Sequence, residues 1–265
     1  MDPATGTVIR TGVESVVNPL DLYAIETALR LKEQYGGEVC VISMGPPAAM
    51  RVLREAAAMG CDRCFLLSDR RFGGADTWAT SYTIARGVKK IQEIISGSFD
   101  IIIAGERATD GDTAQVGPAL ASWLDLPVLT YVSKIEKITG GGDTHGRILE
   151  ERGRILAERL VEEGYEMLDA PLPCLITVVK EIAVPRLPTL KGKIRSMNMD
   201  IPVLSADDLE VNPDYIGLKG SPTRVVKIET PSISRGGRTI KVTDEESLGR
   251  AMDGLMALFA EKGLV

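Results

Sequence analysis

Asp100-Ile101-Ile102-Ile103-Ala104-Gly105 leads through Glu106-Arg107 into Ala108-Thr109-Asp110-Gly111-Asp112-Thr113-Ala114-Gln115-Val116-Gly117-Pro118. The apolar run reads as a short strand buried on both faces of a parallel sheet. Beyond the loop, Ala119, Leu120 and Leu124 read as an apolar helix. A strand, a small polar loop and a helix start bring several backbone N–H groups to the positive end of a helix dipole, where a phosphate is held without a lysine. Thr113 and Gln115 add hydrogen-bonding side chains. A capped turn with no ligand fits the same pattern, and geometry alone does not choose. The loop is not a Walker loop, since no Gly-Lys-Ser/Thr follows, nor is it the spaced-glycine dinucleotide fingerprint.

Working outward, the preceding segments repeat the pattern. In Asn18-Pro19-Leu20-Asp21, Asn18 suits a helix cap, Pro19 the first turn and Asp21 the positive end of the dipole. Leu22, Ile25, Ala28 and Leu29 then share one face, and Gly36-Gly37 ends the helix. Residues 38–44 form a nearly continuous apolar strand, again of the doubly buried type, closed by Gly45-Pro46-Pro47. A second helix from about Ala48 to Met59 leads to the strand Cys64-Phe65-Leu66-Leu67, and a third follows Asp76-Thr77 to the region of Ile95. This alternation predicts an α/β fold with a doubly wound, mostly parallel sheet, whose ligands sit beyond the carboxyl ends of the strands.

From Val128 to Val179, β-branched runs and a glycine turn predict antiparallel strands added to one side of the sheet. Residues 146–152 and 153–159 read GRILEER and GRILAER, a duplication taken as an insertion that lengthens a hairpin. After about Ile201 the texture turns to proline and glycine until Asp244 opens a final helix with Leu248, Met252, Leu255, Met256 and Phe259. The expected division is 1–201 as a nucleotide-binding α/β domain and 202–265 as an arm ending in a helix.

With 265 residues, 44% hydrophobic and 26% charged, the chain can bury a sizeable core. Its apolar runs are far shorter than the roughly 20 residues of a membrane helix, and Met1 to Gly6 has no signal-peptide character. A formal charge of −6 argues against sequence-independent nucleic-acid binding, which needs a basic surface. Four scattered cysteines indicate a reducing compartment, taken as the cytoplasm. Cys61-Asp62-Arg63-Cys64 has the spacing of half a zinc or redox site, but no second pair completes it; two small residues entering a buried strand is the plainer reading. His145 is the only histidine and falls in a glycine-rich turn, so histidine triads are not expected.

Phe72-Gly73-Gly74-Ala75-Asp76-Thr77-Trp78-Ala79-Thr80 is a second loop entering a helix, and Thr77, Thr80 and Ser81 suit a ligand lying across the strand ends. Two such loops point to one nucleotide; ordinary capping by Asp76-Thr77 is the alternative. No nucleophile with a base and no paired carboxylates are evident, so no catalytic side chain is assigned and any redox chemistry falls to a bound cofactor.

These residues together resemble the beta subunit of electron transfer flavoprotein. The resemblance is carried by Asn18-Pro19-Leu20-Asp21 with the helix 24–33, by Ile42-Ser43-Met44-Gly45-Pro46 and by the loop from Ala108 to Pro118. It continues through Pro185-Arg186, Leu190-Lys191-Gly192-Lys193 and Gly220-Ser221-Pro222-Thr223. It implies a heterodimer with the alpha subunit, which carries the electron-transferring FAD. It also implies a nucleotide in the beta subunit, AMP in a structural role or a second FAD in electron-bifurcating members that take electron pairs from NADH.

By the resemblance, Asn18, Pro19, Leu20 and Asp21 meet the nucleotide from the first helix start, and Met44 and Gly45 approach the adenosine. Asp110 through Pro118, including Gly111, Asp112, Thr113, Ala114, Gln115, Val116 and Gly117, wraps the phosphates. Gly73 and Gly74 let backbone approach a ligand, and Asp76-Thr77 resembles the loop of FAD-containing beta subunits, which makes FAD the expected group and AMP the alternative. Val184 to Arg195 resembles the family's recognition loop, with Leu190 as the apolar anchor on an acyl-CoA dehydrogenase-type partner, flanked by Pro185, Arg186, Lys191 and Lys193. Read from its residues alone, that segment is an exposed basic connection.

Family chains open with a buried strand and a Lys-Gln-Val-Pro-Asp-Thr-like loop ahead of the segment matching Asp2-Pro3-Ala4-Thr5-Gly6. Both are absent here, and because losing a central strand would expose unpaired sheet edges, the expectation is a start lying upstream. Two other classes fit the sequence less well. An adenine-nucleotide-dependent ligase or pyrophosphatase needs a Ser-Gly-Gly-like pyrophosphate loop near its start, which is missing; a stress-type nucleotide module lacks the arm after Ile201.

Overall fold

The computed structural model describes residues 15–140, 153–226 and 239–264. Helix α1 (Pro19–Tyr35) precedes strand β1 (Cys40–Met44), helix α2 (Met50–Met59), strand β2 (Arg63–Leu67), helix α3 (Thr77–Ile95), strand β3 (Ile101–Gly105) and helix α4 (Val116–Leu124). Strands β4 (Val128–Thr139), β5 (Arg154–Val161), β6 (Gly164–Pro171) and β7 (Cys174–Val178) follow. Helix α5 (Leu190–Asn198), strand β8 (Val203–Leu204), the short helix α6 (Gly217–Gly220) and helix α7 (Glu245–Glu261) complete the order. The α/β alternation expected from periodicity is present.

Among the described residues the strands form two sheets, β1-β2-β8 and β3-β7-β4-β5-β6. In the first, β2 pairs in parallel with β1 and β8. In the second, β7 pairs in parallel with both β3 and β4, and β5 and β6 add antiparallel hairpin strands. Val128 to Val179 therefore holds antiparallel strands as expected, with one correction: β7 inserts as a parallel strand between β3 and β4. Every residue of β7 is buried, which suits its run Cys-Leu-Ile-Thr-Val.

β1 and β3 depart from the expectation of strands buried on both faces: every residue of each is only half-buried. Among the described residues both stand at the end of their sheet, and a terminal strand has one edge without a neighbouring strand. Helices link the two sheets instead. On α1, Ala24 joins the core with Ile176 and Val178 of β7, while Ile25 and Leu29 join Val39, Ala56 and Cys61. On α3, Tyr82 and Ile91 pack with Phe65 and Leu67 of β2, and Ala85 packs with Leu120 and Leu175. At roughly 1.5–3 kcal/mol for each large side chain taken out of water, these clusters supply the main cohesion between helices and sheets.

Local rules explain the helix ends. Asp76 caps α3 by accepting from the Ala79 N–H at 3.0 Å. Thr189 caps α5 by accepting from the Gly192 N–H at 2.9 Å. Asp244 and Ser247 form a reciprocal capping box at α7. Asn18 does not cap α1 with its side chain, which reaches the loop after β3 instead.

By internal contacts the chain divides into a unit of Met1–Lys227 and a unit of Ile228–Val265. Residues 202–226 thus run with the first unit, where Leu204, Ala206, Leu209 and Ile216 are buried, although their composition reads as an arm. In the second unit no residue of α7 is buried, and Met252, Leu255 and Met256 are exposed. The second copy of the duplicated heptapeptide is β5; the first copy, His145 and the Asp2 to Gly6 segment lie outside the described residues. Cys61 and Cys64 are fully buried at the entry to β2, and among the described residues no group of side chains could hold a metal ion. Among the described residues no helix is long and apolar enough to cross a membrane.

Candidate nucleotide site

The loop after β3 is held from the start of α1. Asn18 Nδ2 donates to the Arg107 carbonyl at 2.9 Å, and Asn18 Oδ1 accepts from the Thr109 N–H at 3.2 Å. Asp21 Oδ1 accepts from the Gly105 N–H at 2.8 Å. A Cβ on Gly105 would come within 2.9 Å of Asp21 and the Leu20 backbone, so glycine permits this approach. Asn18 and Asp21 therefore fix the loop through its backbone, which local helix-end rules did not reveal.

Within the loop, Asp112 and Ala114 adopt left-handed backbone at φ of 51° and 55°. Such conformations need support from their surroundings. The Asp112 N–H donates to the Ala108 carbonyl at 2.8 Å, and Arg107 Nε lies 3.1 Å from Asp112 and 3.2 Å from Glu106. Arg107 thereby offsets the carboxylates nearest the loop, a residue that sequence reading passed over. Thr109, Asp110, Gly111 and Thr113 are exposed.

The starts of α3 and α4 come together here. Thr77 Oγ1 donates to Gln115 Oε1 at 2.9 Å. Gln115 stands at the N-cap position of α4 but makes no side-chain cap there, so its helix start keeps backbone donors available. Gly117 sits against Thr177 so closely that a Cβ would overlap the threonine methyl. Behind this junction Trp78, Trp123, Tyr82 and Tyr215 pack edge to face, with Trp78 and Trp123 centroids 5.2 Å apart. Such pairs contribute about 0.5–1.5 kcal/mol each beyond burial and tie the first turns of α3 to the last turn of α4.

Asp76 is spent differently from Thr77. Beyond capping α3, its Oδ2 accepts from both the N–H of Thr223 at 3.0 Å and its hydroxyl at 2.8 Å. The Asp76 N–H donates to Ser221 Oγ at 2.8 Å. Burial raises the Asp76 carboxyl, but these N–H and O–H donors outweigh it and hold the group below the ordinary aspartate range. Ser221 and Thr223 are thus functional neighbours that spacing gave no means of pairing with Asp76, 145 or more residues away.

Met44 and Gly45 lie at the carboxyl end of β1, with Met44 packed against the core of β2 and α3 and the Gly45 N–H donating to the Leu67 carbonyl at 3.0 Å. The residues present fit a phosphate at the α4 start: an uncapped helix N-terminus, a backbone-held loop and carboxylates offset by Arg107. The α3 start is already served by its own aspartate, and the Thr77 hydroxyl proton is committed to Gln115.

The segment expected as a loop from Val184 to Arg195 is helical from Leu190 onward. Leu190, Lys191 and Lys193 are exposed, Leu190 to 76%. Pro185 and Arg186 are half-buried, and Arg186 turns inward to pair with Glu26 and Glu33 of α1 rather than standing in solvent.

The family model for the electron transfer flavoprotein domain matches residues 5–209. The chain is 43% identical to electron transfer flavoprotein subunit beta of Thermoanaerobacterium thermosaccharolyticum, covering 96% of this chain and 91% of that one. It is 41% identical to the caffeyl-CoA reductase-Etf complex subunit CarD of Acetobacterium woodii, covering 100% and 94%. It is 40% identical to the acryloyl-CoA reductase electron transfer subunit gamma of Anaerotignum propionicum, covering 95% and 90%.

Proposed function

The chain belongs to the electron transfer flavoprotein family as a beta subunit, and from that premise we propose that it pairs with an alpha subunit and holds FAD at the junction of α1, α3 and α4. The observation that carries this reading is the Thr77–Gln115 hydrogen bond, which brings two separate helix starts to one place. A pyrophosphate needs two sets of donors: the uncapped α4 start supplies one, and the Gln115 amide, its oxygen taken by Thr77, supplies the other through Nε2. FAD, when bound, accepts and passes on electrons, and the protein side chains position it and exclude competing reactions.

In this reading the complex takes electron pairs from NADH by flavin-based bifurcation and delivers electrons to an acyl-CoA dehydrogenase-type flavoprotein in the cytoplasm. The names of the caffeyl-CoA and acryloyl-CoA reductase relatives support a partner of that class. Leu190 is the docking anchor, because it is exposed at the start of a helix that is itself packed on α2. The alpha subunit covers the exposed apolar residues of α7, since an amphipathic helix draws most of its stability from packing.

AMP is the second reading, and one observation favours it: Asp76 already caps α3, placing a carboxylate where a second phosphate would approach. Counting flavin and adenine nucleotide in the purified alpha–beta complex decides between them. Two FAD per heterodimer is expected. One FAD with one AMP, persisting after incubation with excess FAD, overturns the FAD assignment. For the anchor, Leu190→Ala is expected to raise the apparent KM for the dehydrogenase with flavin content unchanged.

A further inference from the structure

Glu26 of α1 is a carboxylate only 3% exposed to solvent. Its oxygens accept from the Arg186 N–H at 3.1 Å, from Arg186 Nε at 2.8 Å and Nη2 at 3.2 Å, and from Arg30 Nε at 2.8 Å. Two turns along the same helix, Glu33 accepts from Arg186 Nη1 at 2.5 Å and Nη2 at 3.1 Å. One guanidinium is therefore gripped by two carboxylates through both edges, and its backbone N–H is gripped as well. That arrangement fixes orientation as well as position, because a planar fork pairs with a carboxylate in only a few ways.

What this grip holds is a stiff segment. Val184-Pro185-Arg186-Leu187-Pro188 carries two prolines, whose rings fix φ near −65°. On either side of Arg186, Val184 is 80% and Leu187 86% exposed, and the segment runs directly into Leu190. From Leu190 onward the chain is anchored separately: Arg195 Nη2 donates to the Ala57 and Cys61 carbonyls at 2.8 Å each. The stretch from Leu187 to Leu190 thus lies between two fixed points, of which Arg186 is the nearer to Leu190.

We propose that Arg186 is the positioning residue of the docking segment, clamped on Glu26 and Glu33 so that Leu190 is presented to the partner flavoprotein in one orientation. The inference rests on the docking role of Leu190 given above. It assigns Arg186 an action through Leu190 rather than a contact of its own, unlike the flanking Lys191 and Lys193, which stand in solvent. A buried ion pair adds little net stability over an apolar pair of similar volume, so fixing one arrangement is its more telling contribution.

The test uses the complete alpha–beta complex and saturation kinetics with an acyl-CoA dehydrogenase-type flavoprotein, for Leu190→Ala, Arg186→Lys, Glu33→Gln and the double variant Leu190→Ala with Arg186→Lys. Glu33 is exposed, so its variant keeps the fold. Arg186→Lys and Glu33→Gln should each raise the apparent KM roughly three- to tenfold with kcat and flavin content unchanged. The double variant should be no worse than Leu190→Ala alone, because Arg186 acts through that residue. Amide hydrogen exchange over 184–190 should quicken in both clamp variants. If Leu190→Ala leaves KM unchanged, the docking reading falls. If Leu190→Ala raises KM but the clamp variants stay within about twofold of the parent, or if the two effects simply multiply, the positioning role is overturned while docking stands.

Discussion

The hydroxyl of Thr77 donates to the side-chain oxygen of Gln115 across 2.9 Å, joining the first residue of α3 to the residue that opens α4. Thirty-eight residues separate them in the chain. With its side-chain oxygen taken by Thr77, Gln115 makes no side-chain cap on α4.

Thr77→Val keeps the side-chain volume and removes that bond. A hydrogen bond contributes about 0.5–1.5 kcal/mol net, so nucleotide retention in the purified complex should weaken by about 2–10-fold. Thr77→Ser should restore it. Dialysis followed by flavin absorbance reads the result, and equal retention by all three proteins would remove Thr77 from the site.

Asp76 joins α3 to Thr223 and, through its N–H, to Ser221. Asp76→Ala loses a helix cap, which costs about 0.5–2 kcal/mol, and leaves the Thr223 donors without their acceptor. A clear drop in the thermal midpoint is expected. Asp76→Asn keeps the cap oxygen and should recover part of it.

Gly192 is where α5 meets α2, and a Cβ there would overlap the Ala58 carbonyl oxygen. Backbone cannot yield as a side chain can. Gly192→Ala should destabilise by about 1–3 kcal/mol through overpacking and lift α5 from α2. Urea unfolding measures the loss; a shift of the midpoint smaller than that of Lys193→Ala would show that the helix moves freely.

Burial pushes the Cys61 and Cys64 thiols up to about 12 and Cys174 up to about 11. The thiolate is the reactive form, so these three should resist alkylation at mildly alkaline pH in the folded protein. Mass spectrometry after brief labelling should find modification at Cys40 first, since it alone is not fully buried. Rapid labelling of Cys61 and Cys64 together would instead point to a reactive pair.

For Glu26, burial raises the carboxyl, but hydrogen bonds from Arg186 and Arg30 outweigh it and hold the group below the ordinary value of 4.5. Hydrogen bonding to Arg186 lowers Glu33 in the same direction, with Glu26 as its like-charged neighbour. A carboxylate with a lower pKa folded than unfolded stabilises fully above the unfolded value and loses that effect as pH falls through the folded one. The thermal midpoint should therefore decline below about pH 4.5, and less steeply in Glu26→Gln than in the parent. Parallel curves would show that this cluster does not govern acid stability.

The sequence by itself determined what depends on near neighbours. The α/β alternation, the extent of α3 after Asp76 and the opening of α7 at Asp244 were all legible, because caps and periodicity act within one or two turns. So was the small polar connection between β3 and α4, although Val116, Gly117 and Pro118 already belong to the first turn of the helix. Tertiary structure alone decided the rest. Among the described residues it placed β7 between β3 and β4, set β1 and β3 at the ends of two sheets, and sent the Asn18 side chain to Arg107 and Thr109 as well as to Asp21 of its own helix. It also turned Arg186 to Glu26 across 160 residues of chain. Any strand of suitable composition can pair with several others, and a polar side chain can satisfy any donor or acceptor within reach. Only the folded backbone, by bringing remote groups to hydrogen-bonding distance and burying them from water, selects one partner among them.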